Sequence, residues 1–361
     1  MSSPETESDH AEMGALMEKS AGTRYGSYLK KCGPGWLQGA ITLGGGSLAG
    51  ALYLGVIMGY HMMWLQPLAM ILGVVMLSAI AYCTLSTGER PFRAINTHLS
   101  PALGWGWLIA TIMANIVWCL PQFSLATAAI RQNLMPGTGL PALGITIPLF
   151  LIAAVVIWFY NSGTKGIKLF ELILKIMVGI VVLSFFGVIL ALLFKGNLEI
   201  GRILSGLIPD FSLLSNPAPA FAEAISATGA QADYWRGVVV SSQKDKMIAA
   251  FATAVGINMT FLLPYSMLKK SWGKNHRELA IFDLATGLIV PFVIATGCVV
   301  IASASQFHAS SNDVLNDDGS VNPAMTGSFN KVVDGRLGTD PAFADANDAD
   351  KQAMRDSLAP A

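Results

Sequence analysis

Charge is scarce in this sequence. Only 13% of its 361 residues are Asp, Glu, Lys or Arg, whereas 53% are hydrophobic; soluble domains carry about twice that share of charge. No charged residue occurs between Cys32 and Gly88. Because a membrane-spanning helix needs about 20 apolar residues, this run is long enough for two spans. The composition therefore excludes an ordinary soluble protein and indicates a polytopic membrane protein.

Several chemical signatures are absent as well. The four cysteines, Cys32, Cys83, Cys119 and Cys298, are widely spaced, which excludes a CxxC metal or redox motif and predicts free thiols. The apolar segments carry no catalytic grouping of Ser, His, Asp, Cys or Glu, so we expect neither an enzyme nor a cofactor. A net charge of zero gives no indication of nucleic-acid binding. The polar first 30 residues do not resemble a signal peptide.

The apolar segments predict seven transmembrane helices, since helix is the spanning form that satisfies every backbone polar group of such a run. The predicted spans lie near residues 34–58, 62–87, 103–134, 141–160, 167–194, 246–270 and 279–306. Residues 1–32 are predicted to form an N-terminal tail, and 33–308 a transmembrane transporter domain. Residues 195–245 are predicted to form an external loop with short surface helices, and 309–361 a polar, acidic external loop or tail.

Basic residues predict the orientation. Lysines and arginines concentrate in the loops on one side, as at Lys30, Lys31, Lys269 and Lys270, whereas the opposite short loops hold Arg131. Cytoplasmic loops carry the excess of basic residues. We therefore expect a multi-pass protein of the plasma (inner) membrane with a cytoplasmic N-terminus.

Two predicted spans contain helix-breaking sequences. The first carries Gly44-Gly45-Gly46-Ser47, and each glycine costs about 1 kcal/mol relative to alanine in a helix. The sixth carries Gly256-Ile257-Asn258-Met259-Thr260, followed by Pro264. Paired interruptions in two repeat halves indicate a transporter's binding site, and spans one and six have the spacing of an inverted five-helix repeat. We expect the Ser47 hydroxyl to cap the second half of span one.

The segment from Gly33-Pro34-Gly35 to Trp64 resembles the first two helices of the Nramp family of divalent-metal transporters. Gly55, Gly59 and Tyr60 occupy positions of that family's pattern. Further similarity lies at Gly166 to Glu171, at Asp283 and at Ala302 to His308, so the resemblance runs from about 33 to 308. It implies an all-α membrane protein with a leucine-transporter-type inverted-repeat bundle. Because that fold needs at least ten helices, we expect a C-terminally truncated fragment.

The metal-binding residues of the family are replaced. Its DPGN motif falls on Gly44, Gly45, Gly46 and Ser47. In span six, we place the family's methionine on Thr260 and its alanine on Ile257, and in span three its two acids on Cys119 and Gln122. Without carboxylate and thioether, a preference for transition metals loses its main physical reason. The sequence from Asn258 to Trp272 is more similar to the family's magnesium-transporting branch.

The resemblance implies a substrate site between spans one and six, formed by Ile41, Gly44, Ser47, Ile257, Asn258 and Thr260. We expect Ser47, Asn258 and Thr260 to hold the metal directly or through water. Gln122 and Glu171 are candidates for gating or coupling, although Glu171 and Lys175 are also spaced to pair on one helix.

The expected function is secondary transport of a weakly coordinated, Mg²⁺-like divalent metal ion by alternating access, with the metal ion and the lipid bilayer as partners. Since Gln122 stands where an acid is expected, we predict no strong proton coupling. Two alternatives remain open. A half-helix N-terminus suits a small anion, carboxylate or zwitterion, and a chain that lost its site would serve as a non-transporting scaffold or sensor.

Overall fold

The computed structural model describes residues 4–137, 139–161, 163–196, 198–310, 314–316, 318–323, 325–340, 343 and 346–358. Over these residues the chain is almost entirely helical, and its one β-bridge joins Leu315 to Val321. The predicted all-α class is confirmed.

Two helices precede the first apolar span, α1 (Pro4–Met17) and α2 (Ala21–Lys31). The side chains of Met13, Leu16 and Tyr28 are buried in the main hydrophobic core, together with Leu279 from a later helix. The segment that we predicted to be a tail therefore packs on the bundle, because a few apolar side chains share one face of otherwise polar helices.

Among the residues that the structure describes, seven segments are long and apolar enough to cross a membrane if the bent first pair counts as one. That pair consists of α3 (Pro34–Thr42) and α4 (Gly45–Met58), and the two parts meet at 51°. The following elements are α5 (Leu65–Thr87), α6 (Pro91–His98), α7 (Pro101–Ala129, continued by a π-helical turn Ile130–Leu134), α8 (Ala142–Asn161) and α9 (Thr164–Phe194). The short helix α6 lies in the connection between α5 and α7.

The segment predicted to be an external loop is partly a long helix. After α10 (Ile200–Ser205) and α11 (Ala222–Ala227), α12 (Ala232–Ala252) begins well before the predicted start at 246. Several polar residues of the predicted loop lie on this helix. One of them, Gln243, is buried and accepts a hydrogen bond from the Ala218 amide at 2.6 Å. Its amide group thereby holds the preceding loop against α12.

The remaining elements are α13 (Ile257–Lys269), α14 (Arg277–Leu284), a π-helical turn Ala285–Ile289, α15 (Val290–Gln306), α16 (Thr326–Leu337) and α17 (Asp348–Leu358). The last two helices lie within the segment that we predicted to be a polar, acidic external loop or tail. Val333, Leu337 and Phe343 form a small buried cluster, and Arg355 contacts Asp334 at 2.7 and 2.8 Å.

Glycines allow span one to approach span seven very closely. A Cβ atom at Gly35 would overlap the Asp283 carbonyl, and one at Gly39 would overlap the Gly287 carbonyl. The buried Asp283 carboxylate accepts hydrogen bonds from the amides of Gly33 at 3.1 Å and Gly35 at 2.7 Å. Since these amides begin α3, Asp283 satisfies donors that have no partner within the helix. This packing fixes the first half of the broken span.

Candidate functional site

Span one is interrupted where its sequence has consecutive glycines. Helix α3 ends at Thr42, and α4 begins at Gly45 after the extended backbone of Gly44 (φ −79°, ψ 175°). We expected the Ser47 hydroxyl to cap α4, but it does not. It instead donates to the Thr42 carbonyl and, at 3.1 Å, to the Gly44 carbonyl. Ser47 therefore supports the carbonyl end of the first half-helix.

Span six is interrupted opposite this point. Helix α12 ends at Ala252 and α13 begins at Ile257, with Gly256 at the N-cap in an extended conformation. The Thr42 hydroxyl donates to the Ala254 carbonyl at 3.2 Å, which joins the two interruptions directly. The triple-glycine segment and the start of α13 thus face each other.

A cavity of about 70 Å³ lies between the two interruptions. It has room for several waters, because one water needs roughly 10–15 Å³ measured in this way. Five residues that we had selected from the sequence line it together: Ile41, Gly44, Ser47, Gln122 and Asn258. The other lining residues are Thr42, Gly46, Trp118, Ala252, Thr253, Gly256 and Met259.

The lining of this central cavity is uncharged and combines polar with apolar groups. Two helices end and two begin around it, and such ends present backbone carbonyls and amides that lack intrahelical partners. Side-chain oxygens come from Ser47, Gln122, Thr253 and Asn258. Within the described residues, no group of three or more His, Cys, Asp or Glu could hold a metal ion. An ion here would be held by neutral oxygens and by its own water.

Thr260 and Ile257 do not line the central cavity. Both line a separate apolar cavity beside Trp107. The Thr260 hydroxyl donates to the Ile257 carbonyl at 2.6 Å and accepts from the Trp107 indole N–H at 3.3 Å. The structure thus places Thr260 on a different face of α13 from Asn258 and Met259, so it cannot act as a ligand in this conformation.

A thioether is present at the cavity, contrary to our expectation. The buried Met259 contributes to the lining, and its sulfur accepts a hydrogen bond from the Thr42 hydroxyl at 3.4 Å. Counting along the sequence placed the family's methionine on Thr260, whereas the side chain that lines the cavity belongs to Met259, one position earlier. The sulfur is already engaged with a hydroxyl, which reduces its availability to a metal.

Gln122 connects a third helix to the interruption. Its Oε1 accepts a long hydrogen bond of 3.4 Å from the Gly45 amide, the first residue of α4, and its Nε2 donates to the Trp118 carbonyl at 3.3 Å. The side chain thus supplies an acceptor where the half-helix has exposed donors.

Glu171 lies away from the central cavity, at one end of the bundle. It does not pair with Lys175, as the spacing suggested, but with Lys270 at 2.9 Å. Lys175 donates instead to the Cys32 carbonyl at 2.8 Å. The ion pair joins the start of α9 to the end of α13, and a Cβ at Gly33 would overlap it.

Sequence reasoning missed several residues of the site. Gln66 on α5 is buried and donates to the Ser47 carbonyl at 3.3 Å, so it braces the broken helix from behind. Its side-chain amide is one of only two in the uncharged run, the other being that of Gln38, and this scarcity was the available signal. Trp118, Thr42 and Thr253 gave no comparable signal, because aromatic and hydroxyl side chains are common in membrane helices.

A search of curated proteins found no significant match to the chain. The family profile described as natural resistance-associated macrophage protein-like, or Nramp, matches residues 35–332, which extends beyond the end at His308 that we inferred. The match covers most of the chain and includes both interruptions and the cavity between them. The chain belongs to the Nramp family, a family of metal ion transporters.

Proposed function

We propose that this protein is a secondary transporter that carries a weakly coordinated, Mg²⁺-like divalent cation through the central cavity by alternating access. The substrate would keep much of its hydration shell and contact Ser47, Asn258 and Gln122 through oxygen atoms. Mg²⁺ suits such a site, because it dehydrates reluctantly and retains several waters when bound.

The hydrogen-bonding state of the half-helix ends is the observation that carries this proposal. The Gly45 amide donates to Gln122, and the Met259 amide donates to the Asn258 side chain at 3.0 Å. The carbonyls of Thr42 and Ala254 accept hydrogen bonds from the hydroxyls of Ser47 and Thr42, respectively. A carbonyl has a second lone pair, whereas an amide has a single proton. The engaged carbonyls can therefore still receive a cation or its water, whereas an anion at the Gly45 or Met259 amide would have to displace the acceptor already there.

A lining without charge favours a hydrated ion over a bare one. Transfer of an ion into a poorly polar site is costly unless compensating groups are present. Neutral carbonyl, amide and hydroxyl oxygens compensate for only part of that cost, so retained waters must supply the remainder. For the same reason we propose weak binding, which favours rapid release.

Alternating access is supported by the contact between the broken spans. Helix α4 packs on α12, where Gly50 lies against Ala250; a Cβ at Gly50 would come 3.3 Å from the Ala250 Cα. Small residues let helix backbones approach closely. Relative movement of the two bundles along such contacts would open the cavity to each side in turn. The distribution of basic residues leads us to propose that the N-terminus is cytoplasmic.

Flux in liposomes tests the proposal. Purified chain is reconstituted around a Mg²⁺-sensitive dye, and Mg²⁺, Mn²⁺, Ca²⁺ and Na⁺ are added outside in separate experiments. We expect Mg²⁺ entry that saturates and does not require a proton gradient. Asn258→Ala should reduce it severalfold, because it removes an oxygen of the central cavity.

Thr260→Val provides the matched control. It removes a side-chain oxygen from the same turn of α13 as Asn258, but that oxygen lies outside the lining of the central cavity. It should leave Mg²⁺ flux unchanged. Uptake of radiolabelled carboxylates or zwitterions without divalent flux would favour the anion hypothesis. Absence of flux for every solute, in protein that elutes as a single folded species, would favour the scaffold or sensor hypothesis.

A further inference from the structure

A second polar cavity lies at one end of the bundle, where α3 and α9 begin and α13 ends. It has a volume of about 740 Å³. Six lysines line it and face two carboxylates, those of Asp9 and Glu171. The lysines are Lys30, Lys31, Lys168, Lys175, Lys269 and Lys270. The cavity therefore carries a clear excess of positive charge.

The ion pairs described within this cavity involve Lys31 and Lys270, and none of them neutralises Lys30, Lys168 or Lys175. Lys31 contacts Asp9 at 2.6 Å and Glu12 at 3.1 Å, and Lys270 contacts Glu171. Lys175 donates to a backbone carbonyl, which satisfies a hydrogen bond but does not neutralise its charge. The side chains of Lys30 and Lys168 are exposed at the opening of the cavity.

We propose that this lysine cavity binds the phosphate of an anionic phospholipid headgroup. Because its walls are the ends of membrane-crossing segments, it lies at the level of the bilayer surface. Basic pockets between transmembrane helices at that level are suited to anionic headgroups. Ile167 and Leu172 of α9 supply apolar surface beside the lysines for the start of an acyl chain, and Trp272 contributes an aromatic ring of the kind found at membrane interfaces.

The assignment is independent of the solute that crosses the central cavity. It requires only the membrane-crossing helices and the lysines at their ends. The excess of lysine repels divalent cations, so this cavity is not a second site for the transported ion. A soluble phosphate offers the same chemistry as a headgroup, and the experiment must distinguish the two.

Native mass spectrometry of the detergent-solubilised chain measures lipid binding directly. Dioleoyl phosphatidylglycerol and dioleoyl phosphatidylcholine are titrated separately, at low and at high salt. We expect preferential binding of phosphatidylglycerol that weakens with salt. The double variant Lys30→Gln/Lys168→Gln should bind phosphatidylglycerol roughly 30-fold more weakly at low salt, since each basic residue near an anionic surface contributes about 1 kcal/mol to the affinity.

The matched control is Lys195→Gln/Lys244→Gln, which removes the same charge elsewhere. Lys195 follows the opposite end of α9, and Lys244 is exposed on α12. This control should bind phosphatidylglycerol as the unmodified chain does. An equal loss in both double variants would show unspecific surface attraction and overturn the proposal.

Calorimetric titration with glycerol 3-phosphate and with inorganic phosphate resolves the source of the ligand. Lysine-dependent binding of phosphatidylglycerol alone supports the lipid site. Lysine-dependent binding of the soluble phosphates, without a preference for phosphatidylglycerol, would overturn the lipid assignment in favour of a soluble ligand. No binding of any of these ligands would refute a phosphate site altogether.

Discussion

Replacement of Gly44 by aspartate should convert the weak central site into a tight one for divalent cations. The backbone of Gly44 is extended with a negative φ, so an L-amino acid fits without backbone strain. A Cβ atom there would lie 3.3 Å from the Ile41 carbonyl oxygen and 3.8 Å from Gln122 Oε1, which requires a shift of a few tenths of an ångström. Gly44 is also the N-cap of α4, a position at which aspartate is favoured.

The size of the effect follows from Coulomb's law. Two unit charges 4 Å apart interact by about 1 kcal/mol in water and about 4 kcal/mol at an effective dielectric constant of 20, and a divalent ion doubles both values. The ion keeps water between itself and the carboxylate, and the carboxylate loses hydration. The lower value, about 2 kcal/mol, is therefore the appropriate expectation, and it corresponds to roughly 30-fold tighter binding.

Calorimetric titration of Mg²⁺ and Mn²⁺ into the detergent-solubilised variants measures this effect. Gly44→Asn is the control, because asparagine has nearly the same shape and also caps a helix but carries no charge. Aspartate should tighten divalent binding relative to asparagine and leave Na⁺ binding almost unchanged. Equal affinities in the aspartate and asparagine variants would show that the ion does not bind beside Gly44, and the site assignment would be wrong.

Three further predictions concern neighbouring elements. Met259→Leu should leave Mg²⁺ flux unchanged but weaken competition by soft Cd²⁺ severalfold, because it removes the thioether that lines the cavity; unchanged competition would contradict this and show that the sulfur serves only Thr42. Asp283→Asn should destabilise the protein by about 1–3 kcal/mol in thermal unfolding, because one amide of the α3 start loses its acceptor, whereas Asp245→Asn on the exposed face of α12 should not. Burial raises the pKa of Asp9, but hydrogen bonds from Lys31 and His276 outweigh it and hold the pKa below its usual value. A carboxyl with a lowered pKa stabilises the fold above its unfolded pKa and loses that contribution as pH falls through the folded value. Protection of α1 in hydrogen exchange should therefore lose the contribution of Asp9 below about pH 4, and Asp9→Asn should lower that protection already at pH 7.

The membrane class and the first interruption could be predicted from the sequence, because both depend on local properties. An uncharged run from Cys32 to Gly88 has few structural options, and consecutive glycines weaken a helix wherever it lies. The start of α12 was missed for the opposite reason. Its polar residues suggested a loop, yet Gln243 is buried by contacts with a segment about 25 residues earlier in the chain. Such contacts leave no periodic pattern in the sequence.

The direction of side chains around the cavity could not be predicted by counting residues. Successive residues of an α-helix point about 100° apart, so an error of one position moves a side chain out of the site. This is the difference between Thr260, which faces Trp107, and Met259, which faces the cavity. Likewise, the spacing of Glu171 and Lys175 is compatible with a pair on one helix, but Lys270 on α13 lies closer. Spacing restricts the possible partners, and tertiary packing selects among them.

The glycine at position 44 has a consequence for how the cavity is coupled to the rest of the bundle. An aspartate at the N-cap of α4 would supply an acceptor to that half-helix from within the same span. Here the acceptor comes from Gln122 on α7, across a hydrogen bond of 3.4 Å. Any movement of α7 relative to α4 must therefore lengthen or replace this contact. The Gly45 amide would then lose its acceptor, so under the proposed transport mechanism an opening movement would also change the balance of donors and acceptors at the start of α4. A neutral amide is suited to this role, because breaking its hydrogen bond costs far less than leaving a buried carboxylate without a partner.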